Sequence, residues 1–165
     1  MPMQSESRFW GDEGMGSISA VVASLPNGAT LGEERIHAGV RYKLCYNAGN
    51  SQILPGNGAV PIAAPTSSVA SVTVTSASQG GGLIGGVVVV HATATTGTYF
   101  WGAFKGLVPG VIADAAIASG TVIALSDAGS FQALVSAVTG KFACGMVVTT
   151  VSSGSRIGSA YVSFL

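Results

Sequence analysis

Short runs of β-branched and other apolar residues, each ended by glycine, constrain the fold of this chain more than any other feature. Glycine accounts for 24 of the 165 residues, which is roughly twice its usual share of about 7%. Because glycine destabilises the interior of helices, this content argues against long helices and favours turn-rich β structure. We therefore predict an all-β protein, an antiparallel β-sandwich or barrel with less than about one fifth helix.

The apolar runs in the second half of the chain have the spacing of short strands. Seven runs predict strands at residues 69–75, 87–95, 99–104, 108–113, 121–125, 143–151 and 159–165. The secondary structure of two further segments is left undecided by the sequence. Residues 113–118 could form a helical turn, and residues 131–138 could form a short helix or a strand. Regular spacing of this kind is typical of a sandwich or a barrel.

The first fifty residues predict one further strand and a hairpin. Residues 18–25 can form a strand that ends at a turn sequence over residues 26–28. Residues 33–36 and 40–46 then flank a short loop that contains a glycine. Strict alternation in the second run places four side chains on one face of the hairpin: Val40, Tyr42, Leu44 and Tyr46.

Charged residues are scarce and unevenly distributed. They make up 8% of the chain, with a net charge of zero, against about 25% in an average protein. Nine of the fourteen precede Cys45, and none lies between Tyr46 and Phe104. We predict an extended N-terminal arm and a single β domain. The arm covers residues 1–16 and the domain residues 17–165. We divide the domain into a leading strand and hairpin (17–50), a connector with room for one short strand (51–68) and a glycine-rich β body (69–165).

The charge and the apolar runs exclude several classes of partner. Seven scattered basic residues give no electrostatic site for a phosphate backbone, so we expect no nucleic acid partner. The longest wholly apolar run, residues 87–90, is too short to span a membrane. The first fourteen residues lack the apolar segment of a secretory signal, which predicts a protein made in the cytoplasm. Because so few charges would keep a monomer poorly soluble, we expect a component of an assembly.

Residues suited to catalysis or cofactor binding occur without the partners that such sites need. Gly80, Gly82 and Gly85 have the spacing of a dinucleotide-binding loop, but a run of valines follows them instead of a helix. His37 and His91 have no metal ligand or nucleophile at a useful spacing. We expect no enzyme activity, no cofactor and no metal site.

The cysteines and the isolated carboxylates also favour structural roles. Cys45 and Cys144 lie singly in apolar or alternating runs, so buried free thiols are expected, with a disulfide between them left open. Asp114 stands alone in the sequence. Asp127 lies in a turn sequence, where its carboxylate would accept hydrogen bonds from nearby backbone amides.

Clustered aromatic residues are the best candidates for an interface. Phe9 and Trp10 lie in the predicted arm, which has no core of its own, so we expect them to dock on a neighbour. Alternation places Tyr99 and Trp101 on one face of a strand. These two rings either pack in the core or stack on a sugar ring or a neighbouring subunit.

Two stretches of the sequence carry the motifs of a known family. The first is LGEERIHAGVRYKLCYNAGN at residues 31–50, and the second is GTYFWGAFKGLV at residues 97–108, followed by an ASGT turn. They resemble the small head-decoration, or cement, proteins of tailed bacteriophages. The resemblance implies an all-β homo-oligomer, often a trimer, bound to the major capsid protein on the outer surface of the virion. Residues 1–30 match no part of this pattern.

The resemblance predicts a structural virion protein that stabilises the capsid. The alternative is a carbohydrate- or receptor-binding module of a phage fibre or tail, with Tyr99, Trp101 and Trp10 as stacking platforms. The two functions differ in one structural respect, because the alternative requires these rings to be exposed in the folded protein.

Overall fold

A computed structural model of the chain describes residues 17–25, 28–61, 71–73, 86–89, 91–126, 129–134, 143–155 and 157–164. The predicted arm, residues 1–16, lies outside the described residues, and with it Phe9 and Trp10. Gly80, Gly82 and Gly85 of the loop-like spacing and Asp127 of the predicted turn also lie outside them.

Eleven strands and no helix form the regular structure of the described residues. The strands are β1 Val21–Val22, β2 Glu34–His37, β3 Val40–Asn47, β4 Gly58–Pro61, β5 Ser71–Thr73, β6 Val87–Val89, β7 Tyr99–Ile112, β8 Val122–Leu125, β9 Phe131–Ala133, β10 Gly145–Val147 and β11 Ile157–Ser163. The all-β class predicted from the sequence is confirmed. The choice between a sandwich and a barrel stays a prediction.

The predicted hairpin is formed by β2 and β3. Its loop is the pair Ala38 and Gly39, which both have positive φ angles of 48° and 79°. Two such residues in succession are the mark of a tight turn whose twist matches that of the paired strands. Glu34 and Lys43 lie opposite each other across the hairpin and form an ion pair at 3.6 Å.

The strand β7 is longer than the sequence predicts. Its glycines favoured two strands, at residues 99–104 and 108–113, but one strand of 14 residues runs through both. Gly106 lies in the middle with a φ of 125°, and a Cβ atom there would stand 2.9 Å from the carbonyl oxygen of Gly39. This glycine therefore lets the strand pass close to the hairpin loop, and does not end it.

Strands β3 and β7 pair with each other and join two groups of strands. In the first group, pairings close a circuit in the order β3, β5, β4, β6 and β7, in which β3 and β5 are parallel. In the second group, β11, β10, β8 and β9 follow β7 in that order, all antiparallel. A bridge from Phe131 to Ala113 brings β9 back to the end of β7.

Other elements depart from the prediction in length. The leading strand is confined to Val21 and Val22, and the connector contributes the short strand β4. Where a helical turn was considered, Ala113 and Ile117 form isolated bridges. The strand alternative holds for residues 131–133, which form β9.

Two clusters of buried side chains lie on opposite faces of β7. Phe100 packs in the smaller cluster, here termed the minor core, with four other buried residues: Cys45, Ile53, Ala59 and Ala94. Trp101 packs in the larger cluster, the major core, which continues along the strand through Val108 and Val111. Successive residues of a strand point to opposite faces. Strand β7 has one extra residue relative to β3 between Ala103 and Lys105 and another relative to β11 between Val108 and Val111, so Trp101, Val108 and Val111 share the face of the major core and Phe100 lies on the other.

Candidate functional site: an exposed apolar row

The predicted stacking residue Trp101 is buried. Its side chain is 2% exposed, and the guanidinium group of Arg35 lies 4.7 Å from the centre of its ring. Arg35 is held there by Glu33, whose Oε1 accepts a hydrogen bond from Nε of Arg35 and forms an ion pair with Nη2, at 2.9 Å each. The ring therefore packs in the core, as one of the two sequence interpretations expected. It forms no part of the protomer surface, so it is not available as a stacking platform.

Tyr99 is half-buried, and Tyr46 is its aromatic neighbour. The two ring centres are 4.8 Å apart, and the ring planes are inclined at 45°. Tyr46 and Tyr99 also lie opposite each other across the β3–β7 pair. Cross-strand packing accounts for this contact, and an interface role for Tyr99 stays a prediction.

The two histidines lie near each other but have no catalytic arrangement. Both are exposed. Partial burial lowers the pKa of His91 below its usual value of 6.5, and the neighbouring charge of His37 lowers it further. Within the described ranges, no group of three or more His, Cys, Asp and Glu side chains comes close enough to hold a metal ion.

The two cysteines are free and buried. Burial raises the pKa of Cys45 to about 12, although the charge of Lys43 and a hydrogen bond with the backbone of Gly102 oppose this shift. Burial likewise raises the pKa of Cys144 to about 12. Because the thiolate is the reactive form, both side chains are poor nucleophiles in the folded protein.

Asp114 takes part in a hydrogen-bonded chain of hydroxyl groups. The Ser130 hydroxyl donates to Oδ1 of Asp114, and the hydroxyl oxygens of Ser126 and Ser130 are 3.1 Å apart. The backbone N–H of Asp114 also donates to the carbonyl oxygen of Phe131 at 2.8 Å. These bonds attach the end of β7 to the segment before β9, which gives the carboxylate a structural role.

Four exposed apolar side chains form a continuous row across the second group of strands. Val122 of β8 lies opposite Met146 of β10, Met146 opposite Tyr161 of β11, and Tyr161 opposite Leu107 of β7. Side chains paired in this way stand about 5 Å apart. The four are between 44% and 51% exposed. They are termed the apolar row.

Alternation along each strand explains why the row faces outward. Residues next to each member of the row belong to the major core: Val108 beside Leu107, Ile123 beside Val122, Val147 beside Met146, and Ala160 and Val162 beside Tyr161. The row therefore lies on the face opposite the major core. Strands β8, β10 and β11 contain no charged residue, so the row has no charge beside it on three of its four strands.

Two cations stand at the β7 end of the row. Lys105 lies two residues before Leu107 on the same strand, and Arg41 of β3 lies opposite Lys105. Both side chains are exposed. Among the residues that the structure describes, neither Lys105 nor Arg41 takes part in an ion pair, whereas Arg35 and Lys43 do. The row thus combines an apolar surface with a positively charged end.

Sequence reasoning did not find the apolar row. The four residues come from strands far apart in the sequence, and each belongs to an apolar run that also supplies the core. Alternation was the available signal, because it separates Tyr161 from Ala160 and Val162. It does not tell which of the two faces another part of the chain will cover.

Within the described part of the chain, no helix has the length and apolar character needed to cross a membrane. Comparison of the chain with known protein families, with curated proteins and with solved structures gave no match. The case for a function therefore rests on the surface of this chain and on the motifs at residues 31–50 and 97–108.

Proposed function

We propose that this chain is a structural, non-catalytic protein of a phage particle, which binds the outer surface of the capsid and stabilises the shell. The apolar row is the observation that carries the proposal. Contiguous exposed apolar side chains on a protein surface often mark a place that another protein covers. The motifs at residues 31–50 and 97–108, which resemble those of decoration proteins, support the capsid as the partner.

The scarcity of reactive groups supports a structural role. Among the described residues no three His, Cys, Asp or Glu side chains come close enough to hold a metal ion, and the thiols of Cys45 and Cys144 are buried. An enzyme needs titratable or nucleophilic groups that converge on a substrate. An adhesive protein needs a surface and many copies.

When many copies bind one shell, each contact with the capsid can be weak. A stable protein interface buries about 1,600 Å² in total, and the apolar row supplies only part of such an area. Copies that are joined to one another bind a lattice with higher avidity than any single contact provides. A homo-oligomer, such as a trimer, that contacts several major capsid proteins would therefore stabilise the shell at modest affinity per site.

The test compares phage particles that contain the protein with particles that lack it. We expect particles without it to lose their genome at lower temperature, and we expect the purified protein to restore their resistance. Equal resistance of the two particles, or absence of the protein from purified virions, would contradict the proposal. Tyr161→Glu should abolish the restoration, whereas Leu54→Glu, at a side chain 43% exposed outside the row, should leave it intact.

A glycan-binding module is the competing function, and the same protein can test it. The burial of Trp101 removes one of its proposed platforms, which leaves Tyr99 among the described candidates. Binding of the isolated protein to a glycan array, lost in Tyr99→Ala at an unchanged melting temperature, would favour this alternative. We expect no such binding.

A further inference from the structure

Two of the four described Lys and Arg side chains have no carboxylate beside them. Within the described ranges, ion pairs neutralise Arg35 and Lys43 and leave Arg41 and Lys105 without one. The three described carboxylates are bound elsewhere: Glu33 to Arg35, Glu34 to Lys43 and Asp114 to the Ser130 hydroxyl. The described part of the fold therefore supplies no negative charge to Arg41 or Lys105.

Arg41 and Lys105 lie side by side on the face of the apolar row. They are directly opposite each other on β3 and β7, so their Cβ atoms stand about 5 Å apart. Lys105 precedes Leu107 by two residues, and Gly106 between them is opposite Val162 of the major core. Alternation therefore places Lys105, and Arg41 opposite it, on the outer face with Leu107. Like charges in this position destabilise a sheet, and an anion between them would remove the repulsion.

Apolar side chains flank the two cations on both sides. Ile36 of β2 is opposite Arg41 and is 56% exposed, and Leu107 lies on the other side. A partner that covers Ile36 and Leu107 would also exclude water from the cations between them. Charges that lose water interact more strongly with each other, and a covered charge without a partner is costly. This surface therefore favours a partner that has a carboxylate among its apolar groups over a wholly apolar one.

One carboxylate can bind both cations. The planar guanidinium group of Arg41 can donate two parallel hydrogen bonds to its two oxygen atoms. Each oxygen keeps a further lone pair, which can accept a hydrogen bond from the ammonium group of Lys105. The proposed partner of the row is a protein shell, and the anions of a protein surface are carboxylates.

We propose that Arg41 and Lys105 bind a carboxylate of the shell protein that covers the apolar row. The row supplies the apolar contact and the two cations supply its orientation, because complementary charges fix the register of two partners. Strands β8, β10 and β11 carry no charged residue, so the acidic group binds at the β7 end of the row. The inference rests on the proposed function and gives the chemistry of the partner surface.

Binding of the full chain to particles that lack it measures the contribution of the two cations. Lys105→Gln and Arg41→Gln should each weaken binding about tenfold, as expected when a hydrogen bond between charged groups is lost. Lys105→Arg keeps the charge and should bind almost as well as the parent chain. Asn50→Glu is the matched control, because it changes the net charge by the same single unit at an exposed residue outside the row. Unchanged binding of both Gln variants, or an equal loss for Asn50→Glu, would overturn the inference.

Salt and urea separate an ionic contact from a change in the fold. Binding of the parent chain should weaken between about 0.05 M and about 0.5 M NaCl, because salt screens the contact. Binding of the double variant, Arg41→Gln with Lys105→Gln, should depend less on salt, and an equal dependence contradicts the inference. The double variant loses a like-charge pair, so it should unfold at the same urea concentration as the parent chain or a higher one. If it unfolds more easily, cross-linking of the parent chain decides the matter.

A carbodiimide identifies the partner of Lys105 directly, since it joins an amine to a carboxylate in contact with it. The isotope-labelled parent chain is bound to unlabelled particles, treated with the reagent and digested, and linked peptides are identified by mass spectrometry. We expect Lys105 to be joined to an Asp or Glu of a shell protein. A link between Lys43 and Glu34, which are 3.6 Å apart, is the internal control. Lys105 joined only to a carboxylate of this chain, or unlinked while the control forms, would contradict the proposed contact.

The failure of this inference is distinguishable from the failure of the proposed function. If the parent chain does not bind the particles, the proposed function fails and the inference with it. If the parent chain binds and stabilises them, and both Gln variants bind equally well, the capsid role stands and only the carboxylate contact is overturned.

Discussion

The two ends of strand β7 present the same face to different surroundings. At its N-terminal end Phe100 is 1% exposed in the minor core, and at its C-terminal end Leu107, on the face opposite the major core, is 51% exposed. Both residues are large and apolar, and both lie next to a residue that packs in the major core. What separates them is whether another segment of the chain lies over them. The minor core exists because the connector and the segment before β7 cover one end of the strand.

Asn47 holds this covering layer in place. Its side chain is fully buried and donates to the carbonyl oxygens of Ser51 at 2.9 Å and Ala94 at 3.0 Å. Its Oδ1 accepts a hydrogen bond from the Gly49 N–H at 3.0 Å. Ile53 and Ala94 then pair with each other, which places both over Phe100. No comparable buried amide was found beside the apolar row within the described ranges.

The largest expected effect is on the labelling rate of the two cysteines, one of which lies in each core. Cys45 lies in the minor core and Cys144 in the major core. With pKa values near 12 instead of 9.0, each thiol holds about a thousandfold less thiolate near neutral pH than an exposed cysteine. We expect labelling by a thiol reagent to be slow in the folded protein and fast in denaturant, followed by mass spectrometry.

The same pKa shifts set the direction of the alkaline response. A raised pKa in the folded state means that stability is fully present below pH 9.0 and is lost as the pH rises toward about 12. Cys45→Ala and Cys144→Ala should each reduce this loss. If Cys45 were labelled at the rate of a free thiol, the minor core would not be the closed cluster described above.

The next largest effect is on the free energy of unfolding, when Phe100 and Leu107 of β7 are each replaced by alanine. Phe100→Ala removes a fully buried ring and should lower the free energy of unfolding by about 3–5 kcal/mol. Leu107→Ala removes an exposed side chain and should change it by about 0.5 kcal/mol or less. Urea denaturation of the two variants and the parent chain measures the difference. Similar losses for both variants would show that the row is covered within the protomer.

Removal of the amide that holds the covering layer should have an intermediate effect. Asn47→Ala removes the side-chain bonds to the Ser51 carbonyl oxygen, the Ala94 carbonyl oxygen and the Gly49 N–H and should cost about 2 kcal/mol. The Ala94 carbonyl oxygen keeps its bond from the Ile53 N–H. Asn50→Ala is the matched control, because Asn50 is exposed and close by in the sequence. The thiol of Cys45 should become more reactive in Asn47→Ala, while that of Cys144 should not. An equal change in both thiols would mean that the two cores open as one unit.

The smallest expected effect concerns His91. Its pKa is lowered by partial burial and by His37, so the fold favours the neutral form. Stability is therefore present above the usual pKa of 6.5 and is lost as the pH falls through the lowered value. His91→Gln should reduce the fall in melting temperature between about pH 7.5 and about pH 5, and His37→Gln should reduce it less. A pH response that is the same in all three proteins would contradict this assignment.

Local rules explain which elements were predicted well. The hairpin was predicted because a glycine-containing loop separates two alternating runs, and Ala38 and Gly39 form that loop. The extent of β7 was not predicted. The glycines of this segment favoured two strands. Gly106 instead leaves room for the hairpin loop, whose Gly39 carbonyl oxygen approaches the strand closely. This approach depends on residues that lie far away in the sequence.

The sequence by itself determined the all-β class and the hairpin, because propensity and alternation act over a few neighbouring residues. Only the tertiary structure decided that Trp101 is buried under Arg35 while Leu107, Val122, Met146 and Tyr161 meet in an exposed row. The physical reason is that alternation divides a strand into two faces but gives neither of them a cover. The cover comes from segments remote in the sequence, which bury Phe100 but leave the four side chains of the apolar row 44% to 51% exposed.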